Sequence, residues 1–283
     1  MAEYCGYKQV VMSDEQLASF YESEKTENYG ILTNEYAVFT NNIEDEIGDD
    51  TSPESVFRWN GSKFVGIGKQ RAIKSKWMPD IRARNIQQAM AIDMLHNDEI
   101  TVKFLAGRFG SGKTFLLCSS AIEMLESNKY DKILFVRNNV EVKNTKPIGH
   151  LPGENDDKLW PFAAPLADHV GGADGLKMLI GAGKVELVHL GFMRGRDIKR
   201  SIIFCTEAEN LTKEHIQLLI SRVGEGSTIW FDGDLKQRDA DVFVKNSGME
   251  IAIERLAGHR KFGYVKLVKP ERSETAAMAD LLD

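Results

Sequence analysis

Short apolar runs alternating with stretches of helical periodicity organise most of this chain. From residue 81 onward, strand-like runs recur at about 100–106, 131–136, 185–190, 201–206, 228–232 and 264–268. Between them, apolar residues spaced three and four apart predict helices at about 85–95, 113–126, 173–181, 212–222 and 247–257. Runs such as Ser201-Ile202-Ile203-Phe204-Cys205-Thr206 are apolar on both faces, as strands of a parallel sheet covered by helices on both sides must be. Ligands of such sheets sit beyond the carboxyl ends of the strands. Arg137, Thr206-Glu207 and Asp234 all fall at such ends.

Residues 1–80 have a different texture and predict a small, mostly β α+β module. Ser13-Asp14-Glu15-Gln16 starts a helix that runs into Leu17, Phe20 and Tyr21. The run 31–39 reads as a strand, and 42–55 as an acidic exposed loop. Val56-Phe57-Arg58-Trp59 and Ser62-Lys63-Phe64-Val65 flank Asn60-Gly61, the signal of a hairpin closed by a two-residue type I′ turn. Pro79 marks the boundary with a second domain at 81–283.

The strongest chemical signal is Gly107-Arg108-Phe109-Gly110-Ser111-Gly112-Lys113-Thr114, a complete G-x-x-x-x-G-K-[ST] loop. It follows a predicted strand and opens a predicted helix, the context in which this pattern binds phosphate. Gly107, Gly110, Ser111 and Gly112 let backbone N–H groups converge, and the helix N-terminus adds a positive dipole. Lys113 is expected to reach the β- and γ-phosphates of ATP, with Thr114 holding Mg²⁺ and Phe115 continuing the binding segment. Glu207, at a strand end, is the candidate for the Mg²⁺ shell through water and for orienting the attacking water. In Gly233-Asp234-Leu235-Lys236-Gln237-Arg238-Asp239, Gln237 is placed to contact the γ-phosphate and Asp234 to support the metal shell. Arg194, Arg196 and Arg272 lie at element edges, where a guanidinium stabilises transition-state charge in cis or from a neighbouring subunit.

Charge modifies this picture locally. The net charge is −6, yet residues 1–62 carry 13 acidic and 3 basic side chains, while 63–84 carry seven basic ones against Asp80 alone. Trp77 lies inside that basic stretch. Such a mixture suits a groove that follows a nucleic-acid backbone and stacks a base, and equally a solvated linker with a buried Trp. No apolar run approaches the ~20 residues of a membrane span, and no export signal is read at the start. Cys5, Cys118 and Cys205 share no metal-ligand spacing and predict reduced thiols in a cytoplasmic protein.

Several segments together resemble the PhoH-like ATPase family across most of residues 81–283. They are Arg84-Asn85-Ile86-Gln87-Gln88, the loop 107–114, Ile148-Gly149-His150-Leu151-Pro152-Gly153-Glu154 with Lys158 to Pro161, Met193-Arg194-Gly195-Arg196, Glu207-Ala208-Glu209-Asn210, Gly233-Asp234 with Gln237 and Asp239, and Glu271-Arg272-Ser273. The resemblance implies a RecA-like P-loop NTPase core similar to one half of a superfamily 1 helicase, acting on RNA or single-stranded DNA as a homo-oligomer or ring. It gives Gln88 a contact to adenine, Lys113 the phosphates, Thr114 the metal, Glu207 the water and Gln237 the γ-phosphate, with Arg272 or Arg194 acting in trans. Residues 1–80 resemble the segment that joins a PIN-type ribonuclease domain to the ATPase in longer members. No such domain precedes them in this sequence, so nuclease activity is not carried over.

One position departs from the family pattern. Where the family reads Asp-Glu-Ala-Gln, this chain reads Thr206-Glu207-Ala208-Glu209, replacing a carboxylate of the Mg²⁺ shell by a hydroxyl. The expectation is ATP binding with slowed hydrolysis, unless Asp234 or Glu209 compensates, and a faster ATPase on Thr206→Asp. A nucleotide-dependent assembly module that rarely hydrolyses ATP, and a small-molecule kinase, remain the alternatives to a nucleic-acid-coupled ATPase.

Overall fold

Two short strands decide how the N-terminal residues sit on the rest of the molecule. The computed structural model describes residues 4–41, 55–68, 71–137, 163–235 and 247–271. Strands β1 (Tyr7–Val11), β2 (Tyr36–Thr40), β3 (Val56–Trp59) and β4 (Phe64–Gly66) form one sheet in that order, β1 parallel to β2 and the other pairs antiparallel. Side chains alternate faces along a strand. Ala37, Phe39, Phe57 and Trp59 pack with Phe20 of helix α1 (Asp14–Glu22). Tyr36, Val38 and Val56 face the other way, into the same apolar cluster as Met90 and Met94 of α2 (Ile86–His96). Helix α1 starts at Ser13, whose hydroxyl accepts from Gln16 N–H while the Gln16 side chain accepts from Ser13 N–H, a reciprocal cap.

Polar contacts fix the same junction. The Tyr36 hydroxyl lies 2.7 Å from an Asp93 carboxylate oxygen that also pairs with Arg58 at 3.0 Å. Asn34, at φ +66°, donates its amide to the carbonyls of Arg260 and Phe262.

The predicted strand at 31–39 is therefore shorter than expected. Leu32 to Glu35 form a turn, closed by Glu35 N–H donating to Leu32 O; Asn34 N–H and Glu35 O already bond to Trp59, but the strand itself begins at Tyr36. The hairpin differs too. Trp59 pairs with Phe64, so the loop is four residues long rather than two, and only Gly61 has positive φ. Asn60 Oδ1 instead accepts from the N–H groups of Ser62 and Lys63, a side-chain-closed turn.

The core is a six-stranded, all-parallel sheet. Its strands are β5 (Val102–Gly107), β6 (Lys132–Arg137), β7 (Val185–His189), β8 (Ser201–Cys205), β9 (Thr228–Gly233) and β10 (Phe262–Leu267), in the spatial order β10-β5-β9-β8-β6-β7. Leu105, Ile133, Phe135, Ile202, Phe204, Trp230 and Val265 face α2, α3 (Lys113–Glu126), the single turn α4 (Ala164–Ala167) and α5 (Ala173–Gly181). Their strand neighbours Phe104, Leu134, Val136, Ile203, Cys205, Ile229 and Phe231 face α6 (Lys213–Ile220) and α7 (Gly248–Leu256). The fold is thus α/β with helices on both faces of a parallel sheet, plus the separate small mixed sheet. Residues before β1 lie along the outer edge of β10, where Lys266 N–H donates to Cys5 O. Cys118 and Cys205 are buried free thiols. Among the described residues, no helix is long and apolar enough to cross a membrane.

Candidate nucleotide-phosphate site

Strand β5 ends at Gly107, and α3 begins six residues later at Lys113. A Cβ on Gly107 would lie 2.7 Å from Leu267 O and 2.6 Å from Ser111 Oγ, so only glycine lets the chain turn there. Gly112 caps α3 at φ +87°, without a side-chain hydrogen bond, and the first turn of α3 carries no acidic residue. The first N–H groups of this 14-residue helix are therefore open to an anion, and the dipole favours one. Lys113 Nζ folds back to donate to Arg108 O at 3.2 Å, and Ser111 N–H donates to the same carbonyl.

The floor of the site is acidic. Thr114 Oγ1 donates to Asp232 Oδ2 at 2.6 Å, and the other Asp232 oxygen accepts Glu207 N–H at 3.1 Å. Asp232 ends the apolar run of β9, which pairs directly with β5, and it is 4% exposed. Burial raises its carboxyl above the usual range, opposed by the Thr114 hydrogen bond and the charge of Lys113. Glu207, held at φ +54°, pairs its carboxylate with Arg137 at the end of β6. Glu209 accepts Asp234 N–H at 3.1 Å, and burial pushes its carboxyl up to about 8. Thr206 is 6% exposed, and its hydroxyl has no hydrogen-bond partner among the described residues.

A cavity of about 470 Å³ opens beside the loop, lined by Arg82, Arg84, Gln88, Gly112, Phe115 and Glu271. Gln88 is tied at both ends of its amide: Oε1 accepts Arg84 N–H and Nε2 donates to Ser111 O. Its neighbour Gln87 accepts Val268 N–H, while Asn85 donates to the Glu271 carboxylate and Glu271 N–H donates to Gly110 O. The start of α2 thus clamps the segment after β10 over the phosphate loop. Phe115 packs against His169, ring centres 5.0 Å apart and planes tilted by 52°.

The structure therefore brings together Gln88, Gly107, Gly110, Ser111, Gly112, Lys113, Thr114 and Phe115, with Glu207 and Asp234 at neighbouring strand ends. Gln237, Asp239, Arg272, Ser273 and the segments 148–154 and 158–161 lie outside the described residues. Arg194 and Arg196 follow β7, the far edge of the sheet, and Arg196 is ion-paired with Glu186 at 2.8 Å. Asp232 was not among the residues expected from the sequence. Its signal was a carboxylate closing the run Ile229-Trp230-Phe231, overshadowed by Asp234 two positions on.

The oxygen donors of Thr114 and Asp232 suit Mg²⁺, which takes one or two carboxylates and otherwise water and phosphate. That pattern needs no larger protein cage, and none of three or more His, Cys, Asp or Glu forms among the described residues.

Comparison with known proteins gives the same direction. The family model for PhoH-like protein matches residues 80–278. The chain is similar to Protein PhoH2 of Bacillus subtilis, 32% identical over 99% of this chain and 64% of that protein. It is 31% identical to Protein PhoH2 of Mycolicibacterium smegmatis over 70% of this chain and 46% of that protein. The PhoH-like protein of Mycobacterium tuberculosis H37Rv is 30% identical over 74% of this chain and 60% of its own length. The chain thus spans between about half and two thirds of these relatives.

Proposed function

Because the chain belongs to the PhoH-like family of ATP-binding P-loop proteins, we propose that it is a Mg²⁺-dependent ATPase coupled to RNA or single-stranded DNA. The observation that carries the nucleotide part is the uncapped N-terminus of α3, with Lys113 and Thr114 in its first turn, facing a buried carboxylate on the adjacent strand. Loop N–H groups and Lys113 bind the phosphates, and the clamp of Asn85, Gln87 and Gln88 shapes the neighbouring cavity for the base. Mg²⁺ offsets the charge that develops on the transferred phosphoryl group. Glu207, aligned by Arg137, orients the attacking water.

Nucleic-acid coupling rests on the family and on the carboxyl edge of the sheet. There Phe109 and Phe192 are 67% and 62% exposed, next in sequence or nearly so to Arg108 and Arg194. Aromatic faces beside guanidinium groups stack bases and attract phosphate without sequence preference. Arg194 follows an edge strand four strand spacings from β5, about 19 Å away. From there it serves the site of a neighbouring copy better than its own, which favours an oligomer.

The test is phosphate release from labelled ATP, resolved by thin-layer chromatography with and without poly(U). Stimulated release supports the reading. Intact bound ATP in both cases would replace it with a nucleotide-dependent assembly module, and transfer to an acceptor would replace it with a kinase.

A further inference from the structure

We propose that Asp232, near the end of β9, is the metal-shell carboxylate of this protein, and that Thr206, beside it at the end of β8, leaves that place to it. The inference rests on the nucleotide-binding reading and adds to it a residue that the sequence pattern does not point to.

Three observations carry it. First, Asp232 is the acidic group that meets the loop hydroxyl: Thr114 Oγ1 donates to it at 2.6 Å. Glu209 instead directs a carboxylate oxygen at Asp234 N–H. Second, the parity of the strands aims residues 206 and 232 at the same space. Phe204 and Trp230 face the α3 layer, Cys205 and Phe231 face the α6–α7 layer, and side chains alternate, so Thr206 and Asp232 both face α3. The parallel register pairs Cys205 with Phe231, and one step on it sets Thr206 beside Asp232. A carboxylate from either strand would thus reach nearly the same point. Third, Thr206 is buried and its hydroxyl is unpartnered among the described residues, so the end of β8 offers the loop no carboxylate at that point and Asp232 stands beside it alone.

The second Asp232 oxygen accepts Glu207 N–H, so the same side chain also sets the backbone that presents Glu207. A carboxylate at 232 therefore joins two parts of the site: the loop hydroxyl and the strand end that carries the water-orienting residue. On this basis Thr206→Asp does not restore a missing group; it places a second negative charge beside the first.

The test uses Mn²⁺ as the metal probe and a non-hydrolysable ATP analogue, with binding read by calorimetry and bound Mn²⁺ by electron paramagnetic resonance. Asp232→Asn keeps the shape and an acceptor for Thr114. It should weaken Mn²⁺ binding to the protein–analogue complex by about 10- to 100-fold, a loss of the size expected when a metal site loses an orienting or ligating group. Analogue affinity in EDTA should stay within about twofold. The exchange variant Thr206→Asp/Asp232→Thr should recover at least tenfold of the Mn²⁺ affinity lost in Asp232→Thr alone, and it carries the test if Asp232→Asn does not fold. Unchanged Mn²⁺ affinity in Asp232→Asn, or no recovery in the exchange variant, overturns the proposal while leaving nucleotide binding intact. Failure of the unaltered protein to bind the analogue with or without metal overturns the nucleotide reading itself, and the proposal with it.

Discussion

Lys103 lies in the middle of the sheet, 1% exposed, and its charge state sets a measurable pH dependence of stability. It stands on β5, facing the α2 layer, and its ammonium nitrogen donates to Leu95 O in the last turn of α2. The Trp230 ring lies 5.6 Å from the nitrogen. A helix C-terminus favours a cation, yet burial, joined by repulsion from Lys129, pulls the Lys103 pKa down to about 7. In the unfolded chain the group titrates near ~10.4. Between those values the unfolded state holds the extra proton, so stability rises with pH. It is flat below about 7, where both states are charged. The full span is worth on the order of 5 kcal/mol, and the slope approaches about 1.4 kcal/mol per pH unit.

Lys103→Met isolates this contribution. Methionine has similar reach and no charge, though it leaves Leu95 O without its donor, a cost of about 1–3 kcal/mol that does not change with pH. The informative quantity is therefore the difference in unfolding free energy between variant and parent as pH changes. Urea unfolding followed by far-UV circular dichroism should show the advantage of the variant shrinking by about 2 kcal/mol from pH 7 to pH 9. A difference that stays constant across that range would refute the buried, titrating lysine.

Other perturbations address the phosphate loop and its surroundings. Lys113→Ala should lower ATP affinity about 100-fold or more by calorimetry, since it removes a charge-assisted contact to phosphate; unaltered affinity would end the triphosphate reading. Gly107→Ala forces a methyl group to 2.7 Å from Leu267 O and should cost about 1–3 kcal/mol, seen as a lower thermal midpoint. Glu209 has its carboxyl raised to about 8 by burial, so the folded state holds the extra proton above the ordinary Glu range and stability falls as pH rises towards 8. Glu209→Gln should flatten that fall in urea titrations at pH 5, 6 and 7, and an unchanged slope would show that Glu209 is already ionised there.

Much of the core was legible because its strands are short, apolar on both faces and separated by helices with clear periodicity. The expected helices 113–126 and 173–181 coincide with α3 and α5 residue for residue. The phosphate loop was legible for the same reason, its chemistry being local in sequence. What escaped was set by partners distant in the chain. β1 went unrecognised because Tyr7-Lys8-Gln9-Val10-Val11 buries little on either face and becomes a strand by pairing with β2. Asp232 escaped because its role depends on which strand neighbours β5, and spatial strand order is not written in periodicity.

The basic stretch 63–84 shows how a charge pattern can be consumed by the fold. Arg71 pairs with Glu123 of α3 at 3.2 Å, and the backbone N–H groups of Lys74 and Lys76 donate to Glu123 and Glu126. Trp77 is 37% exposed, but a Cβ at Gly171 would stand only 3.3 Å from its ring, so the indole rests on the turn before α5. This segment is a strap across the outer face of α3, fastened by two acidic side chains of that helix. A surface pair of this kind adds at most about 1 kcal/mol, so the strap is held by its backbone contacts and the Trp77 packing more than by charge. Part of the basic excess is thereby neutralised within the molecule. On the proposed coupling to nucleic acid, the carboxyl edge of the sheet is then the better surface to test, with Arg108 and Phe109 in the phosphate loop and Phe192 and Arg194 after the far strand β7. Residues 71–77 lie against the C-terminal half of α3, away from its N-terminus, whereas Arg82 and Arg84 at the end of the same stretch line the cavity beside the phosphate loop.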